Sequence, residues 1–175
     1  NLMADIKSHG NRLTTGDVGN RFLFEALSDY GMDSLLYVML NHYDVPGYGY
    51  QIKQGATTLT EQWNPQQGAS RNHFMMGHID EFFFKNLAGI PGFRPRIVGD
   101  ITHVSASTET PFGRESAEWT LDGDTFKYKI HVPLGESADV MLPGETEPRH
   151  VGCGNYSFVI KVKPNINKLT KFKNS

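Results

Sequence analysis

The sequence predicts an α+β protein in which a helical first half is followed by an antiparallel β-sandwich. Three observations carry that expectation. Apolar residues recur at helical spacing up to Leu87, they alternate with a period of two after Pro95, and the cluster Gly89-Ile90-Pro91-Gly92 stands at the change. The expected division is therefore 1–92 helical, 93–163 sandwich and 164–175 a solvated tail, the last lysine-bearing and poor in large apolar residues.

The first helix with a clear pattern carries Val18, Phe22 and Ala26 beside Leu23, Leu27 and Tyr30, and Gly31 follows where a C-cap belongs. A second helix starts from Asp33 as N-cap, presents Leu35, Leu36, Met39 and Leu40, and fades at Asn41-His42. Residues 44–71 are rich in Gly, Gln, Thr and Tyr and read as a long loop with at most a helical turn, the kind of segment that often carries function. A third helix is expected from about Asn72 to Leu87, with Met75, Ile79, Phe82, Phe83 and Leu87 on one face and Gly89 at its end. Three broad apolar stripes cannot all cover one another, so upstream protein or a neighbouring copy is expected to pack on the exposed helices.

In the second half, Phe126, Tyr128, Ile130 and Val132 alternate with Lys127, Lys129 and His131, and Tyr156, Phe158, Ile160 and Val162 repeat the pattern. Asp122-Gly123 is a two-residue hairpin signal, and Gly154-Asn155 reads as a second turn. Strands punctuated by Gly/Pro turns indicate a sandwich. There is no internal repeat.

Composition narrows the function classes. The chain has 175 residues, 38% hydrophobic and 21% charged, with formal net charge −2. Residues 1–90 hold six Lys/Arg against nine Asp/Glu and residues 91–175 hold eleven against ten, so neither half has a nucleic-acid binder's basic excess. No run approaches the roughly 18 apolar residues of a membrane helix. Cys153 is the only cysteine, which excludes an internal disulfide and a thiolate metal cluster. The first residues, Asn1 to Ile6, resemble neither an initiator methionine nor a signal peptide, so the chain is expected to begin in mid-sequence.

Chemistry concentrates in Gly55-Ala56-Thr57-Thr58-Leu59-Thr60-Glu61-Gln62-Trp63. A carboxylate close to an indole suits sugar chemistry, since apolar sugar faces stack on rings while the carboxylate handles protons. By composition alone, a surface charge beside a half-buried ring is the commoner meaning of such a pair. His73 has two readings also, donation to a substrate hydroxyl or help in capping the third helix. His73 and His78 are five apart, off the i, i+4 spacing of paired metal ligands, and no metal site is expected. Tyr43, Tyr48 and Tyr50 either line a cleft or pack the loop; Tyr50 is taken as a substrate-binding candidate. Neither a phosphate-binding G-x-x-x-x-G-K loop nor a G-x-S-x-G nucleophile elbow occurs.

Four stretches in order resemble glycoside hydrolase family 78, the bacterial α-L-rhamnosidases. They are Leu13-Thr14-Thr15-Gly16-Asp17-Val18-Gly19 with Leu27-Ser28-Asp29-Tyr30-Gly31; Gly55-Ala56-Thr57-Thr58 leading to Glu61-Gln62-Trp63, similar to the family's G-A-T-T-x-W-E-R-W; Asn72-His73-Phe74 running to Ile90; and a C-terminal sandwich with Thr110-Pro111-Phe112-Gly113 and Glu118-Trp119. The resemblance implies that 1–92 is the last part of an (α/α)6 catalytic barrel and that Glu61 matches the general base of an inverting hydrolysis of terminal α-L-rhamnose. It implies that His73 matches a histidine touching the sugar, with Trp63 and Tyr50 as further substrate-binding candidates. No cofactor is implied, and the partner is a rhamnose-containing glycan or glycoside. Thr60 stands where the family usually has Trp, Gln62 where it usually has Arg, and the stretch from Glu61 to His73 is short. The family's general acid belongs to an upstream motif not found here, so the chain by itself is expected to be inactive. The competing readings are another helical-barrel glycoside hydrolase or phosphorylase, and a non-catalytic carbohydrate-binding module.

Overall fold

The structure is a computed structural model and describes residues 2–163; the expected solvated tail lies outside the described residues. The chain forms two compact units that meet in sequence between Asp80 and Glu81.

The first unit contains α1 (Leu2–Ser8), α2 (Asp17–Asp29), α3 (Asp33–Leu40) and α4 (Tyr48–Lys53), then a 3₁₀ turn over Phe74–His78. Helix α2 packs on α3 and on that turn. Its buried stripe is Asn20, Leu23, Phe24, Leu27 and Ser28, with the i, i+3, i+4, i+7 spacing of an amphipathic helix. This corrects the phase expected from hydropathy. Val18, Phe22 and Tyr30 are 60, 65 and 82% exposed, whereas Asn20 is fully buried. The physical reason is hydrogen bonding: the Asn20 side chain accepts from Thr15 Oγ1 at 2.6 Å and donates to Met76 Sδ at 3.3 Å. A satisfied amide can be buried without the usual penalty. Helix α3 buries Leu36 and Met39 as its spacing predicts, but Met32 rather than Asp33 is its N-cap, and Asp33 is a buried first-turn residue. The long loop contains one real helix, the six-residue α4.

The expected third helix is not one regular helix. After the 3₁₀ turn come α5 (Ile79–Glu81) and a π-helix over Phe82–Ala88, and Asn72 and His73 lie outside it. At its start, His73 is extended (φ −108°, ψ 98°) because its N–H donates to Leu59 O at 2.7 Å, and Met76 N–H then closes an i+3 bond to His73 O. At the far end Gly89 takes the left-handed conformation, φ 86°.

The second unit is built on a four-stranded antiparallel sheet. Strands β1 (His103–Thr110), β2 (Gly113–Asp122), β3 (Thr125–Val132) and β6 (Gly154–Lys161) lie in that order, while β4 (Ala138–Val140) and β5 (Arg149–Val151) form a separate two-stranded sheet. The expected hairpin is present, but Asp122 pairs with Thr125, so its central residues are Gly123 and Asp124, one position later than Asp122-Gly123; Gly123 has φ 58°. Gly154 and Asn155 are not a turn: they pair with Val132 and His131 at the start of β6. The alternation of β2 and β3 sends Ala117, Trp119, Leu121, Phe126, Tyr128, Ile130 and Val132 into the core, where Phe93, Ile97, Val140 and Leu142 meet them. Val140 brings the small sheet into the same core.

Trp119 and Tyr128 face each other across β2 and β3 and are both fully buried. Trp119 Nε1 donates to Leu87 O at 2.7 Å and Tyr128 Oη donates to Ala88 O at 3.0 Å. These are the carbonyls that a helix C-terminus leaves without an intrahelical partner. The sheet thus satisfies the end of the π-helix, and the two polar aromatic tips find the partners that their burial demands.

Candidate functional site

The candidate site lies in the first unit, on three segments that the chain holds together: the turn before α2, the loop 57–63, and the stretch 70–76. The loop and the stretch run beside each other through main-chain bonds. Glu61 N–H donates to Ser70 O at 3.1 Å, and His73 N–H donates to Leu59 O at 2.7 Å. Thr58 Oγ1 also donates to Arg71 O.

Glu61 is half-buried, and its Oε2 accepts from the Ser70 N–H at 3.2 Å. One carboxylate oxygen is thereby fixed. Its main chain is held from a second side. Gln51, on α4 and 2% exposed, donates through Nε2 to Thr60 O at 3.3 Å and to Gln62 O at 3.2 Å, the carbonyls on either side of Glu61. Thr60, itself buried, adds a bond from Oγ1 to Gln62 O at 2.8 Å. Glu61 is therefore not a loose surface charge but a carboxylate on a braced loop.

Trp63 is half-buried. Its Nε1 donates to Thr15 O at 3.0 Å, and Tyr48 meets its ring edge-on at 5.0 Å between centroids. Tyr48 Oη in turn donates to Met76 O at 2.6 Å, and burial raises the phenol above its ordinary range. Of the loop tyrosines, Tyr48 is thus the one that binds these segments together. Among the described residues Tyr50 makes no side-chain hydrogen bond or ring contact with Glu61, Trp63 or His73.

His73 occupies the N-cap position of the 3₁₀ turn, yet its side chain makes no capping bond. The ring pairs instead with Asp17, Nε2 to Oδ2 at 3.0 Å, and lies parallel to the exposed Phe74 ring, 6.2 Å away. Asp17 is the first residue of α2, and its other oxygen accepts from Val18 N–H at 2.9 Å. That backbone bond and the His73 ring lower the Asp17 carboxyl below its usual range, and the helix N-terminus favours the same charge.

Thr15, Asp17 and Asn20 were not singled out as site residues by sequence, yet they join the turn and the first residues of α2 to Trp63, His73 and Met76 respectively. Their partners lie 48 to 56 residues away, beyond the reach of any local pattern. Among the described residues no group of three or more His, Cys, Asp or Glu side chains could hold a metal ion. No helix there is long and apolar enough to cross a membrane.

Comparison with known proteins matches residues 1–87 to the bacterial alpha-L-rhamnosidase 6 hairpin glycosidase domain and residues 91–157 to the bacterial alpha-L-rhamnosidase C-terminal domain. The chain belongs to the bacterial α-L-rhamnosidase family. An α-L-rhamnosidase of Formosa agariphila is 30% identical over 98% of this chain but over only 21% of its own length. One from an Alteromonas species is 30% identical over 81% of the chain and 17% of its own length. The chain thus spans about a fifth of these relatives. Among solved structures, the α-L-rhamnosidase from Dictyoglumus thermophilum superposes with a TM-score of 0.84 at 28% identity, covering 91% of this chain and 22% of that one. The Streptomyces avermitilis α-L-rhamnosidase, solved in complex with L-rhamnose, gives 0.83 at 26% identity, with 91 and 19% covered.

Proposed function

We propose that the protein carrying this chain is a glycoside hydrolase that removes terminal α-L-rhamnose with inversion, and that Glu61 is its general base. The observation that carries this reading is the bracing of Glu61: the Ser70 amide fixes one carboxylate oxygen, and Gln51 ties down both flanking carbonyls. A general base must hold its water within a few tenths of an ångström of the line of attack, so a fixed carboxylate is what this role needs. Inversion requires a second carboxyl group about 6.5–9.5 Å away to protonate the leaving group. In this reading that acid comes from the upstream motif of the family, and the 175-residue chain alone lacks turnover.

His73 and Trp63 bind the sugar in this reading, with Tyr50 at the cleft rim. The exposed Val18, Phe22 and Phe74 are surfaces on which upstream parts of a six-hairpin domain, or a neighbouring copy, pack. The boundary between the hairpin domain and the C-terminal domain falls at Gly92.

The test is Glu61→Gln in a full-length enzyme carrying this segment, assayed on an aryl α-L-rhamnoside beside the matching glucoside and uronide. The expected result is a kcat lower by a factor on the order of 10²–10⁴ with a much smaller change in KM. The product released first should be the β-anomer by NMR. A near wild-type kcat would move the base elsewhere, and turnover of glucoside in preference to rhamnoside would favour a different glycosidase. Glycan binding without hydrolysis by the wild-type enzyme would favour a binding module.

A further inference from the structure

Asp17 lies outside the set of residues that sequence reasoning assigns to the site, and the structure gives it a definite geometry. Each of its carboxylate oxygens has a separate partner, Val18 N–H on one and the His73 ring on the other. The turn that carries it is itself fixed. Thr15 Oγ1 is bonded to buried Asn20, Thr15 O accepts the Trp63 indole, and Leu13 is fully buried. The carboxylate is thus presented from a rigid mount.

We propose that Asp17 is a positioning residue for His73, setting which ring nitrogen meets the substrate and what that nitrogen can do. The inference rests on the reading of His73 as a sugar-binding residue. An ionised carboxylate can only accept, so the ring nitrogen facing Asp17 must carry the hydrogen. In the neutral imidazole the other nitrogen, Nδ1, is then an acceptor. Nδ1 has no hydrogen-bond partner among the described residues and is not sealed from solvent, in contrast to His78 Nδ1, which is buried without a partner. With the ring neutral, His73 therefore meets a sugar by accepting a hydrogen bond from a hydroxyl group, not by donating one. A hydroxyl-bearing ligand satisfies Nδ1; a ligand with a carbonyl or ether oxygen at that place does not.

Two measurements test this. The first uses the 175-residue chain labelled with ¹⁵N-histidine, with His73 assigned through His73→Gln. In neutral-ring conditions the His73 spectrum should show hydrogen on Nε2 and an unprotonated Nδ1, with slow solvent exchange of the Nε2 hydrogen. Asp17→Ala should speed that exchange and mix the tautomers, while Asp17→Glu restores part of the protection. Protonation at Nδ1 in the wild type, or an Asp17→Ala spectrum identical to wild type, overturns the proposal.

The second is a double-mutant cycle in the full-length enzyme. Asp17→Ala should lower kcat/KM for an aryl rhamnoside about tenfold, the scale of one hydrogen bond to a charged group, and should have almost no further effect in a His73→Ala background. Equal losses in both backgrounds overturn it. If His73→Ala leaves kcat/KM unchanged, the sugar-binding role of His73 fails, while the ring spectra still decide whether Asp17 sets its tautomer.

Discussion

At the scale of single residues, the candidate site is held in shape by groups to which the sequence assigns no chemistry. Gln51 shows why. Its amide is buried, and its one NH2 group serves both carbonyls around Glu61. Replacing that NH2 by a carboxyl oxygen keeps the shape but leaves at most one donor, and that only when the acid is protonated, so at least one carbonyl loses its partner. Gln51→Glu should therefore destabilise the helical unit by about 1–3 kcal/mol, the cost of leaving a buried carbonyl without its partner, measured by urea unfolding of the chain. An unchanged midpoint would show that water replaces the amide freely. Glu61, Trp63 and His73 stand out in sequence as candidates because their chemistry and their order resemble a family motif. Gln51 and Asp17 do not, since each acts through a partner that only the folded chain supplies. Trp63 was legible as an aromatic near a carboxylate, but not as an indole already committed to Thr15 O.

The elements show the same division between period and pairing. The switch from helical to two-residue spacing was readable, as was the alternation of β2 and β3, because one buried face dictates it. The 3₁₀ and π character of Phe74–Ala88 was not, since it follows from a main-chain bond to Leu59 at one end and from Trp119 and Tyr128 at the other. Gly154-Asn155 misled as a turn because a glycine in a β-strand carries the same signal as a glycine in a loop. Two other glycines give a sharp contrast. A Cβ on Gly89 (φ +86°) would sit 2.5 Å from Pro95 N and 2.7 Å from Arg94 N, main-chain atoms that cannot move aside cheaply. On Gly123 (φ +58°) a Cβ meets nothing within 4 Å. Gly123→Ala should cost only the left-handed backbone term, about 1–2 kcal/mol. Gly89→Ala should cost clearly more and loosen the end of the π-helix against the sheet. Thermal melts of the two variants side by side, with Trp119 fluorescence read in a Trp63→Phe background as the local probe, check the order, and equal losses would mean that the loop after Gly89 yields.

Across the whole molecule the question becomes how stability varies with pH, and the net charge of −2 does not answer it. What matters is which carboxylates the fold perturbs, and in which direction. Asp17 and Asp124 are lowered, the first by the Val18 N–H and His73, the second by Lys161. Their contributions are present above the ordinary Asp range and are lost as pH falls through the folded values. Glu115 runs the other way. It lies on β2 in phase with Ala117, Trp119 and Leu121, so the alternation that builds the core also buries a carboxyl group. Burial raises its pKa above the ordinary 4.5, the neighbouring Glu136 adds to the rise, and the Gly92 N–H only partly offsets it. A raised acid holds its proton more tightly in the folded state, so its contribution is complete below the unfolded value and declines as pH rises through the folded one. Glu115→Gln keeps an acceptor for Gly92 and removes the charge. The variant should melt on the order of a few degrees higher than wild type at pH 7, with the gap closing as pH falls below the ordinary Glu range, where the group becomes protonated in both states. Differential scanning calorimetry at several pH values reads this directly. A gap that stays constant with pH would mean that the carboxylate is solvated in the folded sheet and that shape alone, not charge, distinguishes the two side chains.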